Sequence, residues 1–214
     1  MMEKAVDAAL RSLHDYVGQP KFGEELAAAR KEYFGQIGTP MPGEGFEELR
    51  FMSLTEWFIF DRRLKSSGLT PAEEYWRENA SRLLAESRAV FDGLARAVRS
   101  VFLVKKRTPA ATYLLDLYAG TKYKQVHRVP FPLGKRDMAE LRLIPLGQEW
   151  YATDAYCHHP WAAHKPIAKM LKLAKKEGRP IEPILFKLMA INTRYERLPK
   201  MAKASAYESV MSSK

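Results

Sequence analysis

The periodicity of the apolar residues changes near residue 99 of this 214-residue chain. Before that point apolar side chains recur every three or four residues, as at Val6, Leu10, Leu13 and Val17, which predicts amphipathic helices. After it come short runs rich in β-branched and aromatic residues, separated by turn signals, which predict strands. Because five closely spaced strands leave no room for crossover helices, they favour an antiparallel sheet or small five-stranded barrel over a parallel sheet. Helical periodicity returns after Pro160, so the sequence predicts an α+β fold.

The sequence divides into four predicted parts. They are a helical domain at 1–99, an antiparallel sheet or small barrel at 100–159, a basic helical hairpin packed on the rest at 160–200, and a flexible tail at 201–214. The five predicted strands are residues 101–104, 112–118, 123–131, 141–146 and 150–156. Residues 38–45 include three glycines and two prolines, which predicts a loop.

Two capping-box patterns, each a Ser or Thr followed three residues later by Glu, predict where helices begin. Ser53 and Glu56 form the first pattern. Thr70 and Glu73 form the second, with Pro71 at the first helical position, where its missing N–H costs nothing. The helical pattern after Pro71 continues to about residue 99, with a predicted break near 79–81.

Four consecutive large apolar residues, Trp-Phe-Ile-Phe, occupy positions 57–60. They cover more than one face of a helix, so this segment is expected to be buried against several neighbours rather than exposed as a binding anchor. Asp61 follows directly and is expected to cap the helix or to pair locally.

Composition excludes several classes of protein. The chain is 46% apolar with 24 aromatic residues, which is too many for intrinsic disorder. No apolar run approaches the roughly 18 residues of a membrane span, and the N-terminus lacks the apolar core of a secretory signal. The single cysteine, Cys157, excludes an internal disulfide. These features predict a cytoplasmic protein.

The formal net charge of +10 is concentrated towards the C-terminus. Residues 1–99 carry 14 basic and 16 acidic side chains, a net of −2. Residues 100–160 carry 9 and 5, a net of +4, and residues 161–214 carry 12 and 4, a net of +8. A segregated positive field attracts phosphate backbones or acidic protein surfaces.

The predicted helical hairpin carries most of this positive charge, and its cations are the candidate anion-binding residues. They are Lys165, Lys169, Lys172, Lys175, Lys176, Arg179, Arg194 and Arg197, and Lys187, Lys200 and Lys203 extend them. The favoured function is non-enzymatic binding of an anionic partner, with nucleic acid ahead of an acidic protein surface. A solvated helix face and a peripheral membrane contact are the alternatives.

The predicted sheet adds a second set of cations near aromatic residues. The cations are Lys105, Lys106, Arg107, Lys122, Lys124 and Arg128, and the aromatics are Tyr113, Tyr118, Tyr123 and Phe131. Bases stack on exposed rings while Lys and Arg hold phosphates, so this set predicts a platform for single strands. Core packing of the same rings is the alternative.

Four potential metal ligands fall within eight residues, at Cys157, His158, His159 and His164. Structural zinc usually joins two separated pairs of ligands, so an ordinary strand-to-helix junction at Pro160 is favoured and no cofactor is predicted. The sequence also lacks a nucleophile elbow, a phosphate loop and a dinucleotide-binding motif, which favours a binding protein over an enzyme.

The segments at 56–64, EWFIFDRRL, and 68–71, GLTP, resemble a helical EWF-x-FD-x-RL…G-x-TP stretch in a group of bacterial proteins with no established activity. In that group a β-rich part follows, so the resemblance, over residues 50–146, implies helices followed by a sheet. Some relatives are similar to proteins with a SEC-C zinc motif, whose paired Cys and terminal His-Cys are absent here. The resemblance therefore implies no metal.

A second resemblance concerns the turn Asp116-x-Tyr118-x-Gly120, which is similar to the Asp-x-Ser-x-x-Gly turn of PilZ barrels. That resemblance implies cyclic-dinucleotide binding as an alternative function. The Arg-x-x-x-Arg element of the family is absent before the first strand, where residues 105–107 are the nearest substitutes. A protein-interaction adaptor of a bacterial cytoplasmic complex is the remaining alternative.

Overall fold

The computed structural model describes residues 2–109, 111–127, 133–198 and Tyr207. Within them the chain forms seven α-helices and six strands, in the predicted α+β arrangement. The helices are α1 (Met2–Val17), α2 (Gly23–Ile37), α3 (Glu47–Phe60), α4 (Pro71–Asn79), α5 (Ala85–Ala95), α6 (His164–Lys176) and α7 (Glu182–Arg197). The strands are β1 (Val98–Arg107), β2 (Thr112–Asp116), β3 (Lys122–His127), β4 (Met138–Leu146), β5 (Glu149–Ala152) and β6 (Cys157–His159). Short 3₁₀ turns precede α2 (Pro20–Phe22) and α6 (Trp161–Ala163).

Strands β1 to β5 close into the predicted five-stranded barrel, in the order β1-β2-β3-β5-β4 and back to β1. Strand β1 is long enough to pair antiparallel with β4 through residues 98–103 and with β2 through residues 102–107. The β3–β5 pair is parallel, which the antiparallel prediction did not include. It forms without a crossover helix because β4 lies between the two strands in the chain and reverses the direction. Strands β5 and β6 pair successively with β4.

Alternation along the strands separates two apolar cores. On β1, Val101 packs against α6 and α7 with Met138 of β4, whereas the adjacent Phe102 points into the barrel. All nine residues of β4 are buried, since helices cover the outer face of this strand. The largest core lies among α1 to α5 and includes Ile144 of the barrel and Phe186 of α7.

Helix α3 begins at Glu47, so the prediction of a helix start at Ser53 is wrong. Ser53 lies in the helix interior, because Glu47 and Glu48 supply the acidic first turn and the helix continues through the intervening residues. The Thr70 capping box is confirmed. Its hydroxyl accepts from Glu73 N at 3.2 Å, and its own N–H donates to the Glu73 carboxylate at 2.8 Å.

Other local predictions are confirmed. Residues 38–45 form a loop, and the break between α4 and α5 falls at 80–84. Trp57, Phe58 and Ile59 are buried. The predicted tail at 201–214 lies outside the described residues except for Tyr207, which is buried. No helix in the described ranges is long and apolar enough to cross a membrane.

Candidate functional site

Helix α6 separates an apolar face from a cationic face. Its buried face contains Ile167, Leu171 and Ala174, which pack into the core shared with α7. Four exposed lysines follow one another at spacings of four, three and four residues, which places them along one line on the opposite face. We call this line the lysine stripe, and its members are Lys165, Lys169, Lys172 and Lys176.

The lysine stripe has no ion-pair partner among the residues that the structure describes. The nearest acid in sequence, Glu177, pairs instead with Arg179 at 2.7 Å. Lys175 is also exposed, and its Nζ donates to the carbonyl oxygen of Ala119. The stripe therefore presents uncompensated positive charge to solvent.

The end of α6 meets the barrel at the turn between β2 and β3. Lys175 contacts Ala119 of this turn, and the Tyr118 hydroxyl donates to the Arg179 carbonyl at 2.7 Å. Lys122 and the exposed Lys124 follow the turn on β3. The structure thus brings the end of α6 close to the β3 lysines of the barrel set, whereas Lys105, Lys106 and Arg107 lie towards the opposite end of the β1–β2 pair.

The β2–β3 turn is organised by Asp116, which is 1% exposed. One carboxylate oxygen accepts from the N–H groups of Tyr118 and Ala119, at 2.8 and 2.9 Å, and from the Ser100 hydroxyl at 2.7 Å. Gly120 completes the turn with a φ of 77°. In this structure the motif that resembles a PilZ turn therefore has a structural role, because its Asp116 carboxylate stabilises the turn and fixes the backbone at Tyr118.

The predicted aromatic platform is only partly at the surface. Tyr123 lies in the barrel core, 4.6 Å from Trp150 between ring centroids, so the core-packing alternative applies to this ring. The alternation that exposes Lys122 and Lys124 turns Tyr123 inward. Tyr118 packs against the α6–α7 core, and half-buried Tyr113 lies beneath Lys106, with 5.6 Å from Nζ to the ring centroid.

The remaining predicted cations have mixed surroundings. Lys105 is exposed near the end of β1, while Arg107, the last residue of this strand, donates to the carbonyl of Leu133. Arg194 is exposed on α7. Arg197 binds Glu44 through two hydrogen bonds of 2.6 and 2.9 Å and holds the 38–45 loop. Arg128, Phe131, Lys200 and Lys203 lie outside the described residues.

The weak metal candidates are separated by the strand and by the helix that follows it. On β6, Cys157 and His159 point inward and are buried, whereas His158 points outward towards Asp137. His164 stacks on the ring of Trp161 at 4.5 Å. No group of three or more Cys, His, Asp or Glu side chains suited to a metal occurs in the described part of the chain.

The buried members of this segment are held in unreactive forms. Burial raises the pKa of the Cys157 thiol to about 11, so it remains protonated and weakly nucleophilic at neutral pH. Burial, with nearby Arg50, lowers the pKa of His159 to about 3, which keeps its ring neutral. Its Nδ1 lies 3.0 Å from the Tyr207 hydroxyl.

A buried ionic cluster joins α3 to the barrel, and sequence analysis missed it. Arg99 of β1 lies 2.6 Å from Glu140 and 3.2 Å from Asp61, and Arg142 of β4 lies 2.5 Å from Asp61 and 3.5 Å from Glu56. Asp61 takes the C-cap position of α3, as one of the two expectations had it, but its side chain pairs with partners 38 and 81 residues away rather than locally. A charged residue inside the apolar run 141–144 was the available signal.

The cluster contains three carboxyl groups and two guanidinium groups, so one proton brings its net charge to zero. Burial raises the pKa of Glu56 to about 7, although Arg142 and a 3.0 Å hydrogen bond from Thr153 oppose the rise. Burial raises the pKa of Glu140 as well, so Glu56 and Glu140 both compete for protons in this cluster. The cluster is a tie between two layers of the fold that changes charge near neutrality.

Comparisons with protein-family models, with curated proteins and with solved structures give no match to this chain. The functional argument therefore rests on the geometry of the chain itself.

Proposed function

We propose that this protein binds nucleic acid through the lysine stripe of α6 and the barrel lysines on the adjoining part of β3, Lys122 and Lys124. The observation that carries the proposal is the row of four exposed lysines without carboxylate partners among the described residues. From Lys165 to Lys176 the helix rises about 16 Å, at about 1.5 Å per residue. A linear array of point charges of this length suits a repeating phosphate backbone.

The residue type favours nucleic acid over an acidic protein partner. Lysine is depleted from the cores of protein–protein interfaces, where aromatic residues and arginine prevail. Its ammonium group makes point contacts to phosphates, which position a strand without reading its sequence. We therefore propose a binding mode that depends on salt and tolerates many sequences, in a cytoplasmic setting.

The test is fluorescence anisotropy with labelled single-stranded RNA and DNA of about 20 nucleotides, which exceeds one typical single-strand site. Affinity is measured from about 50 to about 200 mM salt for the wild type and for Lys169→Glu/Lys172→Glu. Loss of two phosphate contacts is expected to weaken binding and to reduce the slope of log K against log salt by about 1.4.

Lys4→Glu/Lys31→Glu is the matched control, because it makes the same change of net charge at exposed lysines of α1 and α2. Equal loss of affinity in both double variants would show that net charge, not the stripe, drives binding. Weak affinity that neither pair of substitutions changes would remove the proposal. Binding to an acidic protein or to anionic vesicles, with no nucleic-acid binding, would assign the surface to a different partner.

A further inference from the structure

Arg50 of α3 is a buried cation whose hydrogen-bond partners among the described residues are all neutral. Its side chain is 1% exposed. The guanidinium donates through Nη2 to the side-chain oxygen of Asn192 and through Nε to the Thr193 hydroxyl at 3.4 Å. It also contacts the Cys157 thiol and lies 5.2 Å from the ring centroid of Phe46. Among the described residues no carboxylate is within 4 Å of it.

The other arginines with little exposure show what is unusual about Arg50. Arg62 is bound by two carboxylates, Glu25 and Glu32. Arg99 and Arg142 each contact two carboxylates of the ionic cluster. A guanidinium group removed from water is normally paired, since its desolvation penalty is otherwise uncompensated. Arg50 thus lacks a contacting carboxylate among the described residues and acts only at longer range on Glu44 and Glu140, which leaves it able to take an anion.

An open cleft of about 450 Å³ reaches Arg50. Its volume lies within the usual range for small-molecule sites. Phe46 and Leu49, from the N-terminal end of α3, and Tyr156, which precedes β6, supply apolar surface beside the guanidinium. The cleft therefore combines one buried cation with apolar walls, which suits an anionic head on an apolar body.

The other charges of the cleft limit the size of that anion. Glu44 lines it but is already bound by Arg197. Glu196 is a second carboxylate in the lining of the cleft. A polyanion such as a nucleic-acid strand is disfavoured, whereas a single anionic group that reaches Arg50 is not.

We propose that this cleft binds a small organic anion, with a carboxylate or phosphate group on Arg50 and an apolar body against Phe46, Leu49 and Tyr156. The proposal is independent of nucleic-acid binding, because it uses neither the lysine stripe nor the barrel cations.

The first test compares probes of like shape and different charge by isothermal titration calorimetry at constant ionic strength. Benzoate and phenyl phosphate represent the two head groups, and benzamide is the neutral analogue of benzoate. At least one anion is expected to bind about tenfold or more tightly than benzamide, since it pairs with a desolvated charge. Equal binding of the three probes, or no binding of either anion, would overturn the proposal.

The second test introduces a carboxylate beside Arg50 by substitution of a neighbouring residue. Thr193→Asp places a carboxylate where the Thr193 hydroxyl meets Arg50, and Thr193→Asn has the same shape without the charge. The Asp variant is expected to bind the anions about tenfold more weakly than the Asn variant, because Arg50 is already neutralised. Equal affinities in two folded variants would contradict the role of Arg50. If the Asp variant does not fold, the comparison of benzoate with benzamide on the wild type still decides.

Lys169→Glu/Lys172→Glu is the control for non-specific anion binding. It is expected to leave the affinity for benzoate and phenyl phosphate unchanged. A parallel loss would show that the probes bind the lysine stripe, which would overturn the assignment to the cleft while leaving the proposed function intact.

Discussion

The substitution Glu56→Gln tests whether the buried ionic cluster makes stability depend on pH. Glutamine keeps an oxygen that can accept from Thr153, and it resembles the protonated carboxyl group in shape. It cannot ionise, so it removes the titration while retaining the volume. The perturbation therefore removes the titration of Glu56 and leaves the other carboxyl groups of the cluster in place.

The expected magnitude comes from the two pKa values of Glu56. Burial raises its folded pKa to about 7, against an ordinary value of 4.5. Between these values the unfolded chain releases the proton and the folded chain keeps it, so stability is full below pH 4.5 and falls as the pH rises to about 7. The difference of about 2.5 corresponds to about 3 kcal/mol of unfolding free energy lost from the wild type.

The assay is urea denaturation of the wild type and of Glu56→Gln at intervals between pH 5 and pH 8. The stability of the variant relative to the wild type is expected to increase by up to about 3 kcal/mol across this range. Glu48→Gln is the matched control, because it removes an exposed carboxylate from the same helix. A difference between Glu56→Gln and wild type that stays constant with pH would refute the reasoning.

Two further predictions concern packing and the β2–β3 turn, and both are checked by urea denaturation. Gly93→Ala in α5 is expected to destabilise the protein by about 2 kcal/mol, because the added Cβ would lie 2.3 Å from the Pro145 carbonyl oxygen. The control Gly35→Ala in α2 meets no atom within 4 Å and is expected to stabilise by up to about 1 kcal/mol; equal effects would contradict this reading. Asp116→Ala is expected to cost about 2–4 kcal/mol by leaving its buried donors without an acceptor. An effect below about 0.5 kcal/mol, as at a typical surface position, would show that the turn does not depend on it.

The fold class was predictable because periodicity and turn chemistry agree over most of the chain. The change of period near residue 99 marks the start of β1 at Val98, and the Thr70 capping box marks the start of α4. The Ser53 pattern misled because a capping box signals a start only where the helix has not already begun. The parallel β3–β5 pair was not predictable, since it depends on which strands become neighbours when the barrel closes.

The candidate sites were predictable to different degrees. The lysine stripe was predictable because the spacing of its lysines within a single helix is enough to place them on one face. The ionic cluster and the surroundings of Arg50 depend on residues brought together from distant segments, so no local pattern indicates them. Tyr123 shows the same limit within a single strand. An aromatic residue between two lysines suggests a stacking platform, but the alternation of side chains along the strand places this ring in the barrel core.

The basic residues of this chain fall into two groups, those paired with carboxylates and those without such a partner among the described residues. Four arginines hold elements together through ion pairs with carboxylates, so their charge is largely neutralised within the fold. They are Arg62, Arg99, Arg142 and Arg197. In the described residues the lysine stripe has no such partners, and Arg50 forms hydrogen bonds only to neutral groups. The net charge of +10 is therefore a poor guide to where positive charge is available for binding. The near-neutral helical half contains Arg50, the cation best placed to bind a small anion. The basic C-terminal part contains the lysine stripe, which suits a long polyanion such as a nucleic-acid strand.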